Sequence, residues 1–207
     1  MKIVLLILST LLMSSYHWTQ EYKKMTQTSS LESKFENKGK TIKTLQADFS
    51  ESIHSSVLKD IAKASGKLFY KSTDQIRWEH ISPISKIMIM NGKVIKLQEK
   101  GKEIKNNQSN RIASKIQSMM NGLLSGAFIK DKSYKIAYYE SNSMYKLLLL
   151  PEGKMSKYIQ QIELYFNKET LLLDQLILKE SDKDFIQYQF SNIKVNQTLS
   201  DQKFKTF

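Results

Sequence analysis

The side chains that could do chemistry are few and scattered along this sequence. The three histidines, His17, His54 and His80, do not stand at metal-ligand spacing with one another or with an acid. The chain contains no cysteine, which excludes disulfides, thiolate metal sites and a cysteine nucleophile. No G-x-S-x-G elbow, phosphate-binding glycine loop or H-E-x-x-H helix occurs, and no pair of acids is singled out for glycoside hydrolysis. We therefore expect no catalytic residue, no metal and no cofactor.

One region has instead the pattern of a binding site. Residues 66–91 read GKLFYKSTDQIRWEHISPISKIMIMN, and Gly92 completes an Asn-Gly turn. Two alternating strands flank Arg77 and Trp78, and Pro83 follows them. A guanidinium within an otherwise apolar sheet, without a cluster of acids, bases or metal ligands nearby, indicates a site that holds a ligand and does not react with it. The sequence thus favours a carrier or binding protein.

The elements that position this region change from helix to strand after residue 41. Apolar residues at near-helical spacing predict a helix over residues 21–39, which Gly39 ends. Beyond it the apolar period is two, and short polar links favour antiparallel neighbours. About eleven strands predict a mainly β chain with one large curved sheet, an incomplete, half-open barrel. The expected strands are residues 45–49, a strand pair or bent strand over 53–72, then 75–81, 86–90, 94–97, 133–139, 144–150, 158–166, 171–179, 185–195 and 204–207.

A single central helix interrupts the strands. Ser109 or Asn110 can cap it, and Gly126 lies at its end. A helix with one apolar stripe in a sheet protein has to lie across the sheet to bury that stripe. The stripe consists of Ile112, Ile116, Met119, Met120, Leu123 and Leu124.

The apolar side chains of this helix and of the sheet allow two interpretations. They could form a closed core, or they could surround a cavity under the helix. A cavity would bind acyl chains without specific polar contacts, because each buried CH₂ contributes about 0.8 kcal/mol. Adjacent methionines suit a lid that repacks around a variable guest. The sheet residues concerned are Leu68, Tyr70, Ile87 and Ile89.

Residues 1–19 have the pattern of a secretory signal peptide. Lys2 precedes an apolar run over residues 3–13, which is shorter than the roughly 20 residues of a membrane-spanning helix. No A-x-A pattern marks a cleavage site, so an uncleaved interfacial anchor is the alternative. Residues 20–207 are then expected to form a single domain, which is long enough to bury its own core.

The net charge of +12 comes almost entirely from lysine, because Arg77 and Arg111 are the only arginines. The lysines are spread over every segment and do not form the arginine clusters of nucleic-acid readers. We therefore expect no nucleic-acid partner. A solubilising surface is one interpretation of the lysines, and attraction to anionic headgroups or to an acidic partner is the other.

The order of several short motifs resembles the periplasmic outer-membrane lipoprotein carrier family, LolA. Each motif is weak alone, and their order over residues 41–196 is more specific. The motif A-x-F-x-Q corresponds to residues 47–51, G-x-[LF]-x-[YF]-K to 66–71, R-W-x-[YF]-x-x-P to 77–83, [DN]-G to 91–92, L-L-x-G to 123–126, L-x-P to 148–151 and I-x-L-x-[FV] to 162–166.

The resemblance implies a half-open antiparallel barrel whose helices act as a lid over a cavity for acyl chains. It implies a monomer without enzymatic activity in the periplasm. Its acylated lipoprotein cargo would come from an inner-membrane ABC-type exporter and pass to an outer-membrane acceptor. Arg77 would correspond to the family arginine that hydrogen-bonds lid residues and keeps the empty form closed.

Two departures from the family motifs concern the cargo. Residues 71–75, KSTDQ, replace the family's Lys-Pro-Gly turn, and His80 stands where the family has an aromatic residue. Three alternatives to a lipoprotein carrier stay open. They are a related carrier for another lipid export system, a periplasmic lipid-sensing or scaffold protein with a closed sheet, and a lipid enzyme that depends on His80 or a nearby acid.

Overall fold

Twelve strands make one continuous sheet in the computed structural model, which describes residues 21–72, 74–105 and 117–207. The strands are β1 Lys23–Lys24, β2 Thr44–His54, β3 Ala62–Lys71, β4 Gln75–Ser82, β5 Lys86–Asn91, β6 Val94–Glu99, β7 Lys102–Glu103, β8 Tyr134–Glu140, β9 Met144–Pro151, β10 Gln161–Asn167, β11 Leu173–Lys179 and β12 Phe185–Val195. Their spatial order is β1-β8-β9-β10-β11-β12-β2-β3-β4-β5-β6-β7. Every neighbouring pair is antiparallel, as the short links predicted.

The sheet is open. Its edges, β1 and β7, pair with β8 and β6 and not with each other in the described part of the chain. This confirms the predicted mainly β fold with an unclosed antiparallel sheet. Two helices accompany it, α1 Ser29–Thr41 and a second helix that covers residues 117–125 and is called α2 below. Within the described ranges, no helix combines the length and hydropathy needed to cross a bilayer.

The N-terminal helix starts later than the sequence predicted. Residues 23–24 form β1 beside β8, and α1 begins only at Ser29. The Thr28 hydroxyl donates to the Glu32 carboxylate (2.8 Å), an interaction one turn apart that favours the start of a helix there. Gly39 does not end the helix as predicted, because it lies buried within α1, which continues to Thr41.

Two hairpins refine the predicted strand boundaries. Residues 53–72 hold neither the predicted strand pair nor a bent strand. The strand predicted over residues 45–49 continues to His54 as β2, and β3 is the one strand that lies wholly within residues 53–72. In the Asn-Gly hairpin the turn is one residue later than predicted. Asn91 still pairs with Val94, so Gly92, at a φ of 59°, and Lys93 form the turn.

The C-terminal strand predicted over residues 204–207 is wrong. The segment contains a 3₁₀ helix, Asp201–Phe204, which begins where the Ser200 side chain accepts a hydrogen bond from the Gln202 N–H. The Phe204 ring is buried, so packing against the sheet replaces pairing within it.

Strand register divides β2 to β6 into two faces, because residues directly opposite one another share a face. One row runs Ala47, Leu68, Trp78, Met88 across β2, β3, β4 and β5, and its neighbours belong to the main core under the helices. We call this side the inner face. The row Phe69, Arg77, Ile89, Lys96 lies on the opposite side, the outer face.

Aromatic and glycine contacts join the two helices over the inner face. The ring centroid of Phe35 in α1 lies 4.6 Å from that of Phe166 and 6.2 Å from that of Phe128, just after α2. A Cβ placed on Gly39 would lie 2.1 Å from the carbonyl oxygen of Ser125, the last residue of α2. The backbones of α1 and α2 therefore approach so closely that only glycine fits at residue 39.

Glu163 on the outer face of β10 is a buried carboxylate with several donors. Burial alone would raise its pKa, but hydrogen bonds from Lys179, Tyr165 and Lys146 outweigh that effect and lower the pKa to about 2. Lys146 and Lys179 approach its carboxylate oxygens at 2.9 and 2.7 Å, and the Tyr165 hydroxyl donates to it at 2.5 Å. The ionised form of Glu163 is therefore the form that the fold stabilises.

We expect the stability of the chain to fall in acid partly through Glu163. Its unfolded pKa is about 4.3, so the ionised side chain contributes roughly 3 kcal/mol above that pH, and the contribution disappears as pH falls towards 2. Urea unfolding at several pH values should show a smaller acid loss in Glu163→Gln than in the wild type. Glu152→Gln removes an exposed ion pair with Lys135 and serves as the control. An unchanged pH profile in Glu163→Gln would contradict the assignment.

Candidate functional site

A small apolar cavity of about 40 Å³ lies between α1, α2 and the inner face. Among the described residues that line it, Lys38 is the single charged side chain, and the rest are almost all aliphatic or aromatic. The cavity is too small for an acyl chain as it stands, because the protein's own side chains fill most of the interior. The lining includes Phe35, Leu45, Leu68, Met120, Leu123, Leu124, Phe128, Phe166, Leu172 and Phe190.

A second cavity of about 200 Å³ lies on the other side of α2, between that helix and β8, β9 and β10. Its wall combines apolar residues such as Leu149 and Ile162 with the polar Asp131 and Ser133. Leu123 and Phe128 line both cavities, so these two side chains form the partition between them. Leu123 belongs to α2, and Phe128 belongs to the 3₁₀ helix Ala127–Lys130 that follows it.

The structure brings most of the predicted apolar residues together. Leu68, Tyr70 and Trp78 lie buried on the inner face, and Met120, Leu123 and Leu124 are buried beneath α2. Leu68, Met120, Leu123 and Leu124 line the first cavity, and Met119 lines the second. Ile112 and Ile116, the other two residues of the predicted stripe, lie outside the described residues.

Three predicted site residues lie elsewhere. Ile87 and Ile89 point to the outer face, because they pair with Glu79 and Arg77, and their neighbours Met88 and Met90 occupy the inner face instead. Pro83 is exposed in the connection between β4 and β5. The prediction that Ile87 and Ile89 contribute to the apolar interior under the helices is therefore wrong. Successive side chains of a strand point to opposite faces, and those of Met88 and Met90 face the interior.

Arg77 binds a different segment from the one predicted. Its guanidinium is buried on the outer face and donates to the carbonyl oxygens of Lys203 (2.9 Å) and Thr206 (2.5 Å) and, through Nε, to the Glu79 carboxylate. A contact with α2 is not among its described hydrogen bonds, since α2 packs on the other side of the sheet. Arg77 thus holds the C-terminal segment, residues 200–206, and not the predicted lid.

Other contacts support this docking of the C-terminal segment. The Lys96 ammonium donates to the Lys205 carbonyl oxygen (2.7 Å), and the Lys203 ammonium lies 4.0 Å from the centroid of the Phe69 ring. Phe204 is almost completely buried. The outer face therefore has a small apolar cluster of its own, covered by the end of the chain.

A polar group lies within the aromatic part of the inner face. Glu51 is buried, and its carboxylate accepts from the Tyr188 hydroxyl (2.7 Å) and lies 2.7 Å from His80 Nε2. Burial by itself raises the pKa of Glu51, but these two bonds outweigh it and leave the pKa below its usual range. Burial, followed by the Glu51 charge, raises the pKa of Tyr188. These contacts give the buried Glu51 carboxylate a polar partner on each of its two oxygens.

No metal site accompanies this group. In the parts of the chain that the structure describes, no cluster of three or more histidine, cysteine or acidic side chains could hold a metal ion. The His54 ring stacks on the Phe185 ring, and the two ring centroids lie 4.0 Å apart.

Sequence reasoning missed part of the cavity wall. Phe166 and Phe190 were predicted in strands and Phe128 in no element. Leu171 and Leu172, which precede β11, were predicted as part of a strand over residues 171–179. None of these five residues was predicted to line a cavity. One signal was available: the run Leu171–Leu173 is continuously apolar where a half-exposed strand would alternate, which indicates burial on both sides.

Comparisons with known proteins agree with this architecture. Relatives named outer-membrane lipoprotein carrier protein include one from Coxiella burnetii (strain CbuK_Q154), 28% identical over 165 residues that cover 79% of this chain and 76% of that protein. One from Nitrosomonas europaea is 24% identical over 163 residues, 78% of this chain and 77% of that protein.

A solved structure supports the fold. An uncharacterized conserved protein from Thermus thermophilus matches with a TM-score of 0.50 at 9% identity, over 87% of this chain and 94% of that one. Residues 40–207 match the family described as outer membrane lipoprotein carrier protein LolA, which is most of the chain. The chain therefore belongs to the LolA family.

Proposed function

We propose that this chain is a periplasmic carrier that binds the acyl chains of lipidated proteins under α2 and performs no reaction on them. Membership of the LolA family and the names of its relatives support the carrier role. The observation that carries the proposal is that two apolar residues, Leu123 and Phe128, line both cavities, which are therefore adjacent. In the proposed open form, movement of α2 and of the Phe128 side chain joins the two cavities into one trough.

The energetics fit a carrier that closes when empty. In the closed arrangement Met120, Leu123 and Leu124 are buried against the sheet, so opening α2 exposes apolar surface. An acyl chain in the trough would cover that surface again and add about 0.8 kcal/mol for each buried CH₂. Because the two effects oppose each other, the net affinity stays moderate, and cargo can move on to a tighter acceptor.

The proposed binding residues are those of the sequence-based set that adjoin a cavity or its aromatic wall. They exclude Arg77, Ile87 and Ile89, which lie on the outer face, and the exposed Pro83. We further propose, from the sequence and the family, that residues 1–19 direct export, that residues 20–207 act as one domain, and that an inner-membrane exporter and an outer-membrane acceptor are the partners. The proposed contacts are Leu68, Tyr70, Trp78, Met119, Met120, Leu123 and Leu124.

A pair of matched leucine variants tests the binding site. Leu123 and Leu97 are both 8% exposed, but Leu97 lines neither cavity. Placing an amide in an apolar wall costs roughly 1 to 3 kcal/mol of binding free energy, so Leu123→Asn should weaken binding of a fluorescent fatty acid by about fivefold or more. Leu97→Asn should bind the probe like the wild type.

The measurement is a fluorescence titration, with circular dichroism to verify that both variants are folded. Equal weakening in the two variants would contradict a site under α2 and indicate general loosening. Native mass spectrometry of the gently purified wild type provides a second readout, in which co-purified acyl species are expected. A bare protein that takes up no fatty acid would favour the scaffold alternative.

A further inference from the structure

Exposed apolar side chains are concentrated at one end of the sheet. This end contains the connections β2–β3, β4–β5, β6–β7 and β9–β10, and we call it the hairpin end. Val57 at its tip is 87% exposed. Only Val94 and Phe207 among the large exposed apolar residues of the described chain lie elsewhere. Those at the hairpin end are Val57, Leu58, Ile61, Ile81, Ile84, Leu150 and Tyr158.

The β2–β3 hairpin projects beyond its neighbour. The last residue of β4, Ser82, pairs with Ser65, and residues 62–64 continue β3 with only β2 beside them. Three strand residues add about 10 Å, so the loop over residues 55–61 stands clear of β4. The apolar tip is therefore presented outward and not folded back on the sheet.

An aspartate in the neighbouring β11–β12 connection braces this loop. Asp184 accepts hydrogen bonds from the Ser56 N–H (2.7 Å) and hydroxyl (2.9 Å), and from the Ser55 hydroxyl (3.3 Å). The loop thus has specific anchors directly before Val57 and Leu58. Two large apolar side chains held in water by a braced loop have no role in the packing of the chain itself.

Lysines flank these apolar residues. Lys59 and Lys63 border the projecting hairpin, and Lys86 begins the strand after Ile84. Lys100 lies beside them, because its N–H bonds to the Ser85 carbonyl oxygen (2.9 Å) in the β4–β5 connection. The acids beside them are Asp60 in the same loop, Asp184, and Glu99, whose carboxylate lies 3.1 Å from the Lys86 ammonium. Protruding apolar tips among charged side chains with an excess of lysine match the boundary of an anionic bilayer, where acyl chains lie beneath negative headgroups.

We propose that the hairpin end docks on an anionic lipid bilayer, with Val57, Leu58 and Ile84 entering the headgroup layer. The occupant is lipid, because the exposed apolar side chains stand on several separate connections with lysines beside them, and Val57 and Leu58 lie in the loop of a projecting hairpin. The second cavity is lined by Ser133 and Met155 from connections at this same end, so docking would bring that cavity close to the membrane. The docking itself does not depend on the carrier role, since it needs no cargo.

The absence of cysteine allows a site-specific test on the full chain. Val57→Cys and Val94→Cys each introduce one thiol for an environment-sensitive fluorophore, and Val94, exposed at the opposite end of the sheet, is the matched control. Phosphatidylglycerol vesicles should shift the emission of the label at position 57 to shorter wavelength and leave the label at 94 unchanged. Any anchoring by residues 1–19 affects both variants equally and cannot produce this difference. Equal shifts, or none at position 57, would overturn the proposal.

A second comparison separates membrane docking from self-association. Val57→Ser combined with Leu58→Ser should lower partition onto phosphatidylglycerol vesicles by about tenfold or more, because two large side chains lose their burial. Val94→Ser should leave partition unchanged, and phosphatidylcholine vesicles should bind the wild type more weakly. If the double variant instead abolishes a dimer seen by sedimentation while vesicle partition stays as in the wild type, the hairpin end is an interface between copies and the proposal fails.

Discussion

Replacing Arg77 with leucine is expected to release the C-terminal segment and to lower the free energy of unfolding by about 3 kcal/mol. The guanidinium is 8% exposed and supplies two bonds to backbone carbonyls of residues 200–206. Its loss also leaves the Glu79 carboxylate without its charged partner. Limited proteolysis should then cleave near the C terminus before the rest of the chain, and urea unfolding should give the stability change.

Two further variants distinguish the causes of this effect. Lys96→Met removes a single exposed bond to the Lys205 carbonyl oxygen and should cost no more than about 1 kcal/mol. Adding Glu79→Gln to Arg77→Leu should recover part of the lost stability, because the half-buried carboxylate that loses its charged partner is then absent. If Arg77→Leu kept the C terminus as resistant to protease as the wild type, the assigned role of Arg77 would be wrong.

The second large effect is expected from Gly39→Ala. In an ordinary helix this change is favourable by roughly 0.5 to 1 kcal/mol. Here the added Cβ would lie 2.1 Å from the Ser125 carbonyl oxygen, a backbone atom that cannot move alone. We expect α1 and α2 to separate, with a net loss of about 2 kcal/mol in the free energy of unfolding. Urea unfolding measures this loss, and fatty-acid titration should show faster uptake of the probe.

Asn37→Ala in the same helix is the control for Gly39→Ala. Residue 37 is exposed, so alanine there should leave stability unchanged or raise it by about 0.5 kcal/mol. A Gly39→Ala variant that is more stable than the wild type would show that the two helices adjust without cost. The close contact between residue 39 and Ser125 would then have no role in lid closure.

The strands were predictable because alternation is a strong signal wherever one face is exposed. β2 includes the strand predicted over residues 45–49, with alternating buried residues at Leu45, Ala47 and Phe49, and it extends further, to His54. The same rule could not assign faces in β5, whose sequence KIMIMN is apolar at successive positions. Both faces of that strand are covered, the inner one by the main core and the outer one by the C-terminal segment. Alternation then does not indicate which residues of the strand face the helices, which is why Ile87 and Ile89 were misassigned.

The partner of Arg77 was unpredictable for a related reason. A buried arginine indicates that acceptors must lie nearby, but here they are the backbone carbonyls of Lys203 and Thr206, which any sequence provides. The position of Gly39 was misread because helix-ending glycines and glycines at close contacts look the same in a sequence. Only the distance to Ser125 distinguishes them.

The two terminal strands of the sheet have a consequence for how the protein behaves at high concentration. An unclosed sheet always has two rows of unpaired peptide groups, and such rows invite further strands from other molecules. In the described part of the chain the outermost strands are only two residues long, Lys23–Lys24 and Lys102–Glu103, and every side chain on them carries charge. Each of them covers one end of a longer strand, because β1 pairs with Tyr139 and Glu140 of β8 and β7 pairs with Gln98 and Glu99 of β6. A strand from another molecule could pair along the full length of β8 or β6 only by displacing these short charged strands, which makes the open sheet a poorer template for fibre growth.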